Sequence, residues 1–91
     1  MKITKIKMRR GCEYSDDVLE IDSLYIPDCK EPGYYSKASV HDYVKKYPDS
    51  IYVDIKPYPF LVAVVSANGE KYVRSEPDEY KKDNLLKLPK E

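Results

Sequence analysis

The sequence predicts an α+β fold: a small antiparallel sheet of about five strands with one helix and a C-terminal clasp, in the order β-β-α-β-β-β along the chain. Three observations favour it. Apolar segments of strand length recur along the chain, residues 36–47 show helical periodicity, and Asn68-Gly69 separates two strand-like segments. With 91 residues, the chain is expected to form a single domain over residues 1–91.

Two strands are predicted before the helix, at Lys2–Arg9 and Val18–Ile26. In the first, Ile6 and Met8 share one face of the strand, whereas Ile3 points to the other face. Such imperfect alternation is typical of a bulge or of a strand at the edge of a sheet. We therefore expect the first strand to be irregular.

A loop and then the single helix follow. Asp28–Tyr35 is predicted to be a loop because it contains a Pro-Gly pair. Ser36–Tyr47 is predicted to be the helix, with Ser36 or Ser39 as its N-cap and a proline ending it. His41 lies beside the apolar stripe of this helix, so we expect it to be partly exposed. The stripe has the spacing i, i+3, i+4 and i+7 and consists of Val40, Tyr43, Val44 and Tyr47.

Three more strands are predicted after the helix. Ile51–Lys56 alternates between apolar and polar residues, as a strand with one buried face does. Phe60–Ala67 is apolar on both faces, which predicts a central strand that is covered on both sides. Asn68-Gly69 then predicts a two-residue type I′ turn, in which both residues have positive φ, and Lys71–Ser75 pairs back. This turn predicts the cross-strand pairs Val65–Tyr72, Val64–Val73 and Ala63–Arg74.

The C-terminal segment is predicted to close over the sheet as a clasp. Pro77-Asp78 favours a turn after the last strand. Leu85, Leu86 and Leu88 then bring apolar side chains back near the end of the sequence. Because the predicted central strand needs a cover on its second face, we expect Leu85, Leu86 or both to pack against the sheet.

The charged residues balance, with 16 basic and 16 acidic side chains. This balance argues against a chain whose whole surface binds nucleic acid through a basic field. The first ten residues are nevertheless basic without any acid, and they contain Lys2, Lys5, Lys7, Arg9 and Arg10. We expect these cations to attract the acidic run that follows them; the alternative is a local strip that binds phosphate.

No motif points to a cofactor, a metal or a membrane. The longest apolar run is far shorter than the roughly 18 residues of a transmembrane helix, and no signal peptide is evident. Cys12, Cys29 and His41 are too few for a closed zinc site, and no motif supports a Cys29–His41 nucleophile–base pair. We therefore expect a cytoplasmic protein with reduced thiols and no cofactor.

The last quarter of the chain resembles a small bacterial family known only as a domain of unknown function. That family closes with a K-Y-[LIV]-[KR]-T stretch, a D-G-T turn and the segment D-N-L-L-x-L-P. The matching stretches here are Lys71–Ser75, Pro77-Asp78 and Asp83–Pro89. Ser75 stands where the family usually has Thr, and Glu79-Tyr80 replaces Gly-Thr. The resemblance implies the same fold unit and carries no activity with it.

The composition favours a non-catalytic module that binds a protein partner. The sequence has ten tyrosines and no tryptophan, and tyrosine is enriched at recognition surfaces. The tyrosines predicted to be exposed are Tyr34, Tyr35, Tyr52, Tyr58 and Tyr80. The alternative is weak binding of single-stranded nucleic acid, with bases stacked on Tyr52 or Tyr72. Its phosphates would then contact Arg74, Lys56 and Lys71.

A small enzyme with a site near Arg74 is a further alternative. The polar residues able to converge there are Tyr72, Arg74, Asp78 and Asn84. An Arg–Asp pair of this kind is more often a structural tie than a catalytic dyad. Together with Tyr52, these four residues are the candidate binding residues. No catalytic or metal-binding residue is predicted, and the choice between a monomer and a homodimer stays open.

Overall fold

The α+β class predicted from the sequence is confirmed. The computed structural model describes residues 1–76 and 82–91, and within them the chain forms one α-helix, seven β-strands and two short 3₁₀ helices. Helix α1 spans Lys37–Lys46, and the 3₁₀ helices span Val18–Glu20 and Asn84–Lys87. The strands are β1 (Lys2–Ile3), β2 (Lys5–Met8), β3 (Ile21–Ile26), β4 (Gly33–Ser36), β5 (Tyr52–Val53), β6 (Leu61–Val65) and β7 (Lys71–Ser75).

Within the described residues, these strands form three small sheets. Strands β2, β3 and β4 are antiparallel neighbours, and β6 and β7 form an antiparallel hairpin. Strands β1 and β5 pair in parallel, which departs from the wholly antiparallel sheet expected from the sequence. A parallel pair needs a long connection, and the chain between these two strands includes α1. Tyr52 also bridges Phe60 in antiparallel fashion, so β5 links β1 to the hairpin.

The first predicted strand is divided in two. It breaks at Thr4, so that β1 pairs with β5 while β2 pairs with β3. The division buries both Ile3 and Ile6, which one regular strand would place on opposite faces. The register of β2 against β3 also shifts between Lys7 and Met8, in agreement with the expected irregularity.

Two further segments before the helix differ from the prediction. Val18–Glu20 is a 3₁₀ helix instead of the start of a strand, because the Asp17 carboxylate accepts a 2.9 Å hydrogen bond from the backbone amide two residues later. The predicted loop contains β4, in which Tyr34 pairs with Tyr25 of β3 and the ring centroids lie 5.1 Å apart. Four strands therefore precede the helix, where the sequence predicts two.

The predicted helix is present, but the face that it buries is shifted. The hydroxyl of its N-cap Ser36 accepts a 3.2 Å hydrogen bond from the Ser39 amide. His41 is only 2% exposed, whereas Tyr43 and Tyr47 are 41% and 47% exposed, so the expectations for these three residues are wrong. Helix α1 packs against the hairpin and also against β3. The side of the helix that carries His41 faces these strands. The buried side chains of the helix are Lys37, Val40, His41 and Val44.

The register of the β6–β7 hairpin is shifted by one residue from the prediction. The Ser66 amide donates a 2.9 Å hydrogen bond to the Glu70 carbonyl, which leaves residues 67–69 as a three-residue turn. Gly69 has a φ of 83°, but Asn68 does not adopt a positive φ, so the predicted type I′ turn is absent. The observed pairs are Leu61–Ser75, Val62–Arg74, Ala63–Val73, Val64–Tyr72 and Val65–Lys71.

Strand β6 is not the doubly covered central strand that the sequence predicts. Leu61 is buried, but Val62 next to it is 40% exposed. Because side chains alternate along a strand, Leu61 faces the core and Val62 points to the opposite side. Helix α1 covers one face of the β6–β7 hairpin, and the other face is exposed to solvent at Val62.

The C-terminal segment packs in the core at a different place from the one expected. Leu85, Leu86 and Leu88 are all buried, and the 3₁₀ helix that carries the first two contacts β7. Residues 89–91 lie beside β2, and the second face of β6 stays exposed at Val62. The Ile6 amide donates to the Pro89 carbonyl at 3.0 Å, and the Glu91 amide donates to the Ile6 carbonyl at 3.1 Å. Among the described residues the core consists of Ile3, Ile6, Met8, Ile21, Leu24, Ile26, Val40, Val44, Ile51, Val53, Leu61, Val73, Leu85, Leu86 and Leu88.

Candidate interaction surface on the hairpin

The outer side of the β6–β7 hairpin carries exposed apolar side chains, including Phe60 and Val62. We call it the hairpin face. Two directly opposed pairs, Val62–Arg74 and Val64–Tyr72, lie on it, since the alternating partners Leu61, Val73 and Ser75 point into the core. The Tyr52–Phe60 bridge extends the same face onto β5. The hairpin face therefore consists of Tyr52, Phe60, Val62, Val64, Tyr72 and Arg74.

Aromatic rings extend the hairpin face at the β5 end. Phe60 is 37% exposed and Tyr58 is 47% exposed, while Tyr52 is half-buried between them. The rings of Tyr52 and Tyr58 meet edge to face, with centroids 6.1 Å apart. With Asp54, these aromatic side chains line a shallow depression beside the hairpin. Rigid rings of this kind offer contact area at little cost in conformational entropy.

Arg74 is the positive charge of the hairpin face. It is exposed and forms no ion pair with any other described residue. Glu76, the nearest acidic residue along the chain, uses its carboxylate to accept a 2.9 Å hydrogen bond from the Phe60 amide. Arg74 lies directly opposite the exposed Val62 on this face.

Lys71 does not join Arg74, although the nucleic-acid alternative groups the two. Its position in the register places it opposite Val65 on the inner face, and its Nζ lies 3.0 Å from Oδ1 of Asp42. The hydrogen bond from Lys71, followed by the one from His41, holds the pKa of the Asp42 carboxyl below its ordinary value. One cation of the proposed phosphate site therefore belongs to a surface ion pair on the helix.

The structure brings together three of the five candidate residues. Tyr52, Tyr72 and Arg74 share the hairpin face. Asn84 is 1% exposed, so it cannot contact a partner at the surface. Asp78 lies outside the described residues, as does Tyr80. Of the other tyrosines expected to be exposed, Tyr34 and Tyr35 are half-buried.

Sequence reasoning missed Phe60, Val62 and Val64 as surface residues because it assigned both faces of their strand to the core. The alternation of Tyr72 and Arg74 with buried residues on β7 indicates an outward polar face. Whichever residues of β6 oppose Tyr72 and Arg74 must share that face. The sequence predicts a two-residue turn, whereas the observed turn has three residues. The predicted register therefore placed Arg74 opposite Ala63 instead of Val62.

Two cations of the basic N-terminal strip, Lys5 and Arg9, pair with acidic side chains. Lys5 lies 2.8 Å from the Glu91 carboxylate, and Arg9 lies 3.6 Å from Glu20 and also pairs with Glu70. The buried Lys37 lies 2.7 Å from the same Glu70 carboxylate. Burial and then the Arg9 charge lower the pKa of Lys37. These pairs connect the strip, the helix and the hairpin turn, and they favour a structural role over phosphate binding.

Residues 1–76 and 82–91 contain no cluster of three or more histidine, cysteine, aspartate or glutamate side chains that could hold a metal ion. No helix in these ranges has the length and apolar character needed to cross a bilayer. Cys12 and Cys29 are both free thiols, each half-buried.

A family model described as "Protein of unknown function (DUF3892)" matches residues 2–89. The match therefore covers the sheets, the helix and the C-terminal leucines, including the whole hairpin face. Neither a curated protein nor a solved structure matches the chain.

Proposed function

The chain belongs to the DUF3892 family of proteins of unknown function, and we propose that it is a non-catalytic module that binds a protein partner through the hairpin face. The resemblance of its last quarter to a bacterial family implies a bacterial protein, and we propose a cytoplasmic location on the grounds given by the sequence. We assign no catalytic role to Arg74, as expected from the sequence.

The observation that carries this proposal is an apolar face beside Arg74, which has no ion-pair partner within residues 1–76 and 82–91. Phe60 is 37% exposed and Val62 is 40% exposed, and the burial of their apolar surface in a complex would stabilise it by about 25 cal/mol per Å². Tyrosine and arginine side chains such as Tyr72 and Arg74 contribute most to binding at many protein interfaces. A partner segment with apolar or aromatic side chains and one carboxylate complements these groups.

The experiment compares two matched charge reversals in affinity capture from the native cell. Arg74→Glu changes the hairpin face, whereas Arg10→Glu makes the same change at an exposed residue elsewhere. A protein retained by the wild type and by Arg10→Glu, but lost with Arg74→Glu, is the expected result. With that partner purified, Arg74→Glu should weaken binding at least about tenfold. Equal recovery by both variants would show that the hairpin face is not the binding surface.

Weak binding of single-stranded nucleic acid is the second candidate, because Tyr52, Tyr72 and Arg74 share one face. Bases stack on tyrosine rings, and an arginine can contact phosphate. With Lys71 paired to Asp42, few cations remain, so the dissociation constant at physiological salt should be no tighter than about 10⁻⁴ to 10⁻⁶ M. Fluorescence anisotropy of a labelled oligonucleotide measures it. A submicromolar, sequence-selective complex that Arg74→Glu abolishes would replace the protein partner.

A further inference from the structure

A cleft of about 510 Å³ opens between α1, the end of β3 and the residue that precedes β5. It shares no lining residue with the hairpin face. Its floor is formed by Ile26, Val40 and Ile51, which are otherwise core residues with at most 5% exposure. The cleft therefore reaches from the surface to the core, and its volume lies within the range of about 300–1,000 Å³ typical of small-molecule sites.

One wall of the cleft carries a thiol and a phenol that contact each other. The Cys29 Sγ lies 3.2 Å from the Glu31 carbonyl and 3.7 Å from the Tyr35 hydroxyl, which itself donates to that carbonyl. A phenol of ordinary pKa is neutral at physiological pH, and the hydrogen bond with Cys29, together with burial, raises the pKa of Tyr35 further. Ser39 adds a hydroxyl on the helix side. The polar groups in the walls are thus uncharged hydrogen-bonding groups.

The rim of the cleft carries charges of both signs, two positive and one negative, from Lys30, the Met1 ammonium and Glu31. Lys30 and Glu31 both line it, and neither forms an ion pair with another described residue. The Met1 ammonium donates a 2.8 Å hydrogen bond to the Ser50 carbonyl. A bound anion would face the Glu31 carboxylate and a bound cation would face the Lys30 ammonium. Moving either ion from water into an apolar cleft is also costly.

We propose that this cleft binds an uncharged small molecule with an aromatic or branched aliphatic body and one hydroxyl or N–H group. The apolar body lies on Ile26, Val40 and Ile51, and the polar group exchanges a hydrogen bond with Ser39 or Tyr35. This site is independent of the hairpin face, since the two surfaces share no residue. An uncharged ligand avoids the desolvation cost that an ion would meet on the apolar floor of the cleft.

A charge series on one ring system tests the ligand class. Naphthol, naphthoate and naphthylmethylamine have similar apolar bodies and carry zero, negative and positive charge. Titration of the full chain followed by amide NMR should give saturable shifts at Ile26, Val40 and Ile51 with naphthol. Each ion should bind at least about tenfold more weakly. Tighter binding of either ion, or shifts confined to the hairpin face, would overturn the proposal.

Two tryptophan variants on α1 test the site itself. Ser39→Trp places a ring in the cleft, whereas Ala38→Trp places it on the exposed neighbouring position that does not line the cleft. Ser39→Trp should weaken naphthol binding at least about tenfold, and Ala38→Trp should leave it unchanged. Alkylation of Cys29 in a Cys12→Ser background should also slow when naphthol is present. Equal naphthol affinity in both folded variants, or an alkylation rate that naphthol does not change, would show that the cleft is not the site.

Discussion

Ser75 donates hydrogen bonds from both its hydroxyl and its amide to the Asp83 carboxylate, and these bonds connect the end of β7 to the C-terminal segment. The Ser75 hydroxyl donates to Oδ1 of Asp83 at 2.8 Å, and its amide donates to Oδ2 at 3.1 Å. Asp83 Oδ1 also accepts a 2.9 Å hydrogen bond from the Leu85 amide, which makes it the N-cap of the second 3₁₀ helix. The two parts of the C-terminal motif are therefore in direct contact. A threonine, which the resembling family usually has at position 75, carries the same hydroxyl donor.

Replacing Asp83 should destabilise the protein, because the buried Ser75 hydroxyl and two backbone amides lose their acceptor. We expect Asp83→Ala to lower the free energy of unfolding by about 1–3 kcal/mol and Asp83→Asn to lower it less. Asp22→Ala, at an exposed aspartate of β3, is the matched control and should have little effect. Urea unfolding measures all three. If Asp83→Ala and Asp22→Ala share the wild-type midpoint, the Ser75–Asp83 contact contributes nothing to stability.

The C-terminal leucines should stabilise the core although they lie near the end of the sequence. Leu85 and Leu86 are 0% and 1% exposed, and we expect Leu85→Ala or Leu86→Ala to lower the free energy of unfolding by about 2–5 kcal/mol through the cavity left behind. Lys87→Ala, at the exposed residue next to them, should change it little. Unfolding of the three variants in urea compares them directly. A common midpoint would mean that the tail is dispensable for folding.

Gly69 should be required in the hairpin turn for its backbone conformation alone. Its φ is 83°, and a Cβ built at this position would meet no atom within 4 Å. Gly69→Ala should therefore cost about 1–2 kcal/mol through the left-handed backbone. Gly33→Ala is a matched control, since it also has open space but no positive φ. Thermal unfolding of the pair measures the difference, and an equal loss in both would contradict the conformational explanation.

Ionisation of the Tyr34 phenol should lower the free energy of unfolding at alkaline pH. Burial raises the pKa of this phenol from 10.0 to about 12, and the nearby Glu91 adds to the shift. The Tyr34 hydroxyl meets no hydrogen-bond partner among the described residues, so we attribute the effect of Glu91 to its charge. The folded chain holds this proton more tightly than the unfolded chain. The stabilisation is therefore complete below pH 10 and is lost as the pH rises towards about 12.

An alkaline titration followed by phenolate absorbance tests this assignment. The wild type should show a late step near the raised pKa of Tyr34, about 12, and Tyr34→Phe should remove it. Tyr14→Phe, at a fully exposed tyrosine, should leave the late step intact. A titration curve that Tyr34→Phe does not change above pH 10 would show that burial does not hold the proton.

The helix and the strands that follow it could be predicted because each rests on a local signal. Ser36 caps the helix with its own side chain, and the alternation in Lys71–Ser75 is visible in the sequence. The hairpin face could not be predicted. It depends on whether the turn has two residues or three, and that single residue decides whether Arg74 lies opposite Val62 or Ala63.

The sequence by itself determined that this chain is an α+β protein with one capped helix, a β6–β7 hairpin and an apolar C-terminal segment. Those features follow from periodicity, caps and turn residues, which act over a few neighbouring positions. Only the tertiary structure decided which faces are buried. His41 lies in the core and Val62 at the surface because α1 packs between β3 and the hairpin, and because the tail lies beside β2. Such contacts join residues far apart in the chain, so no local pattern encodes them.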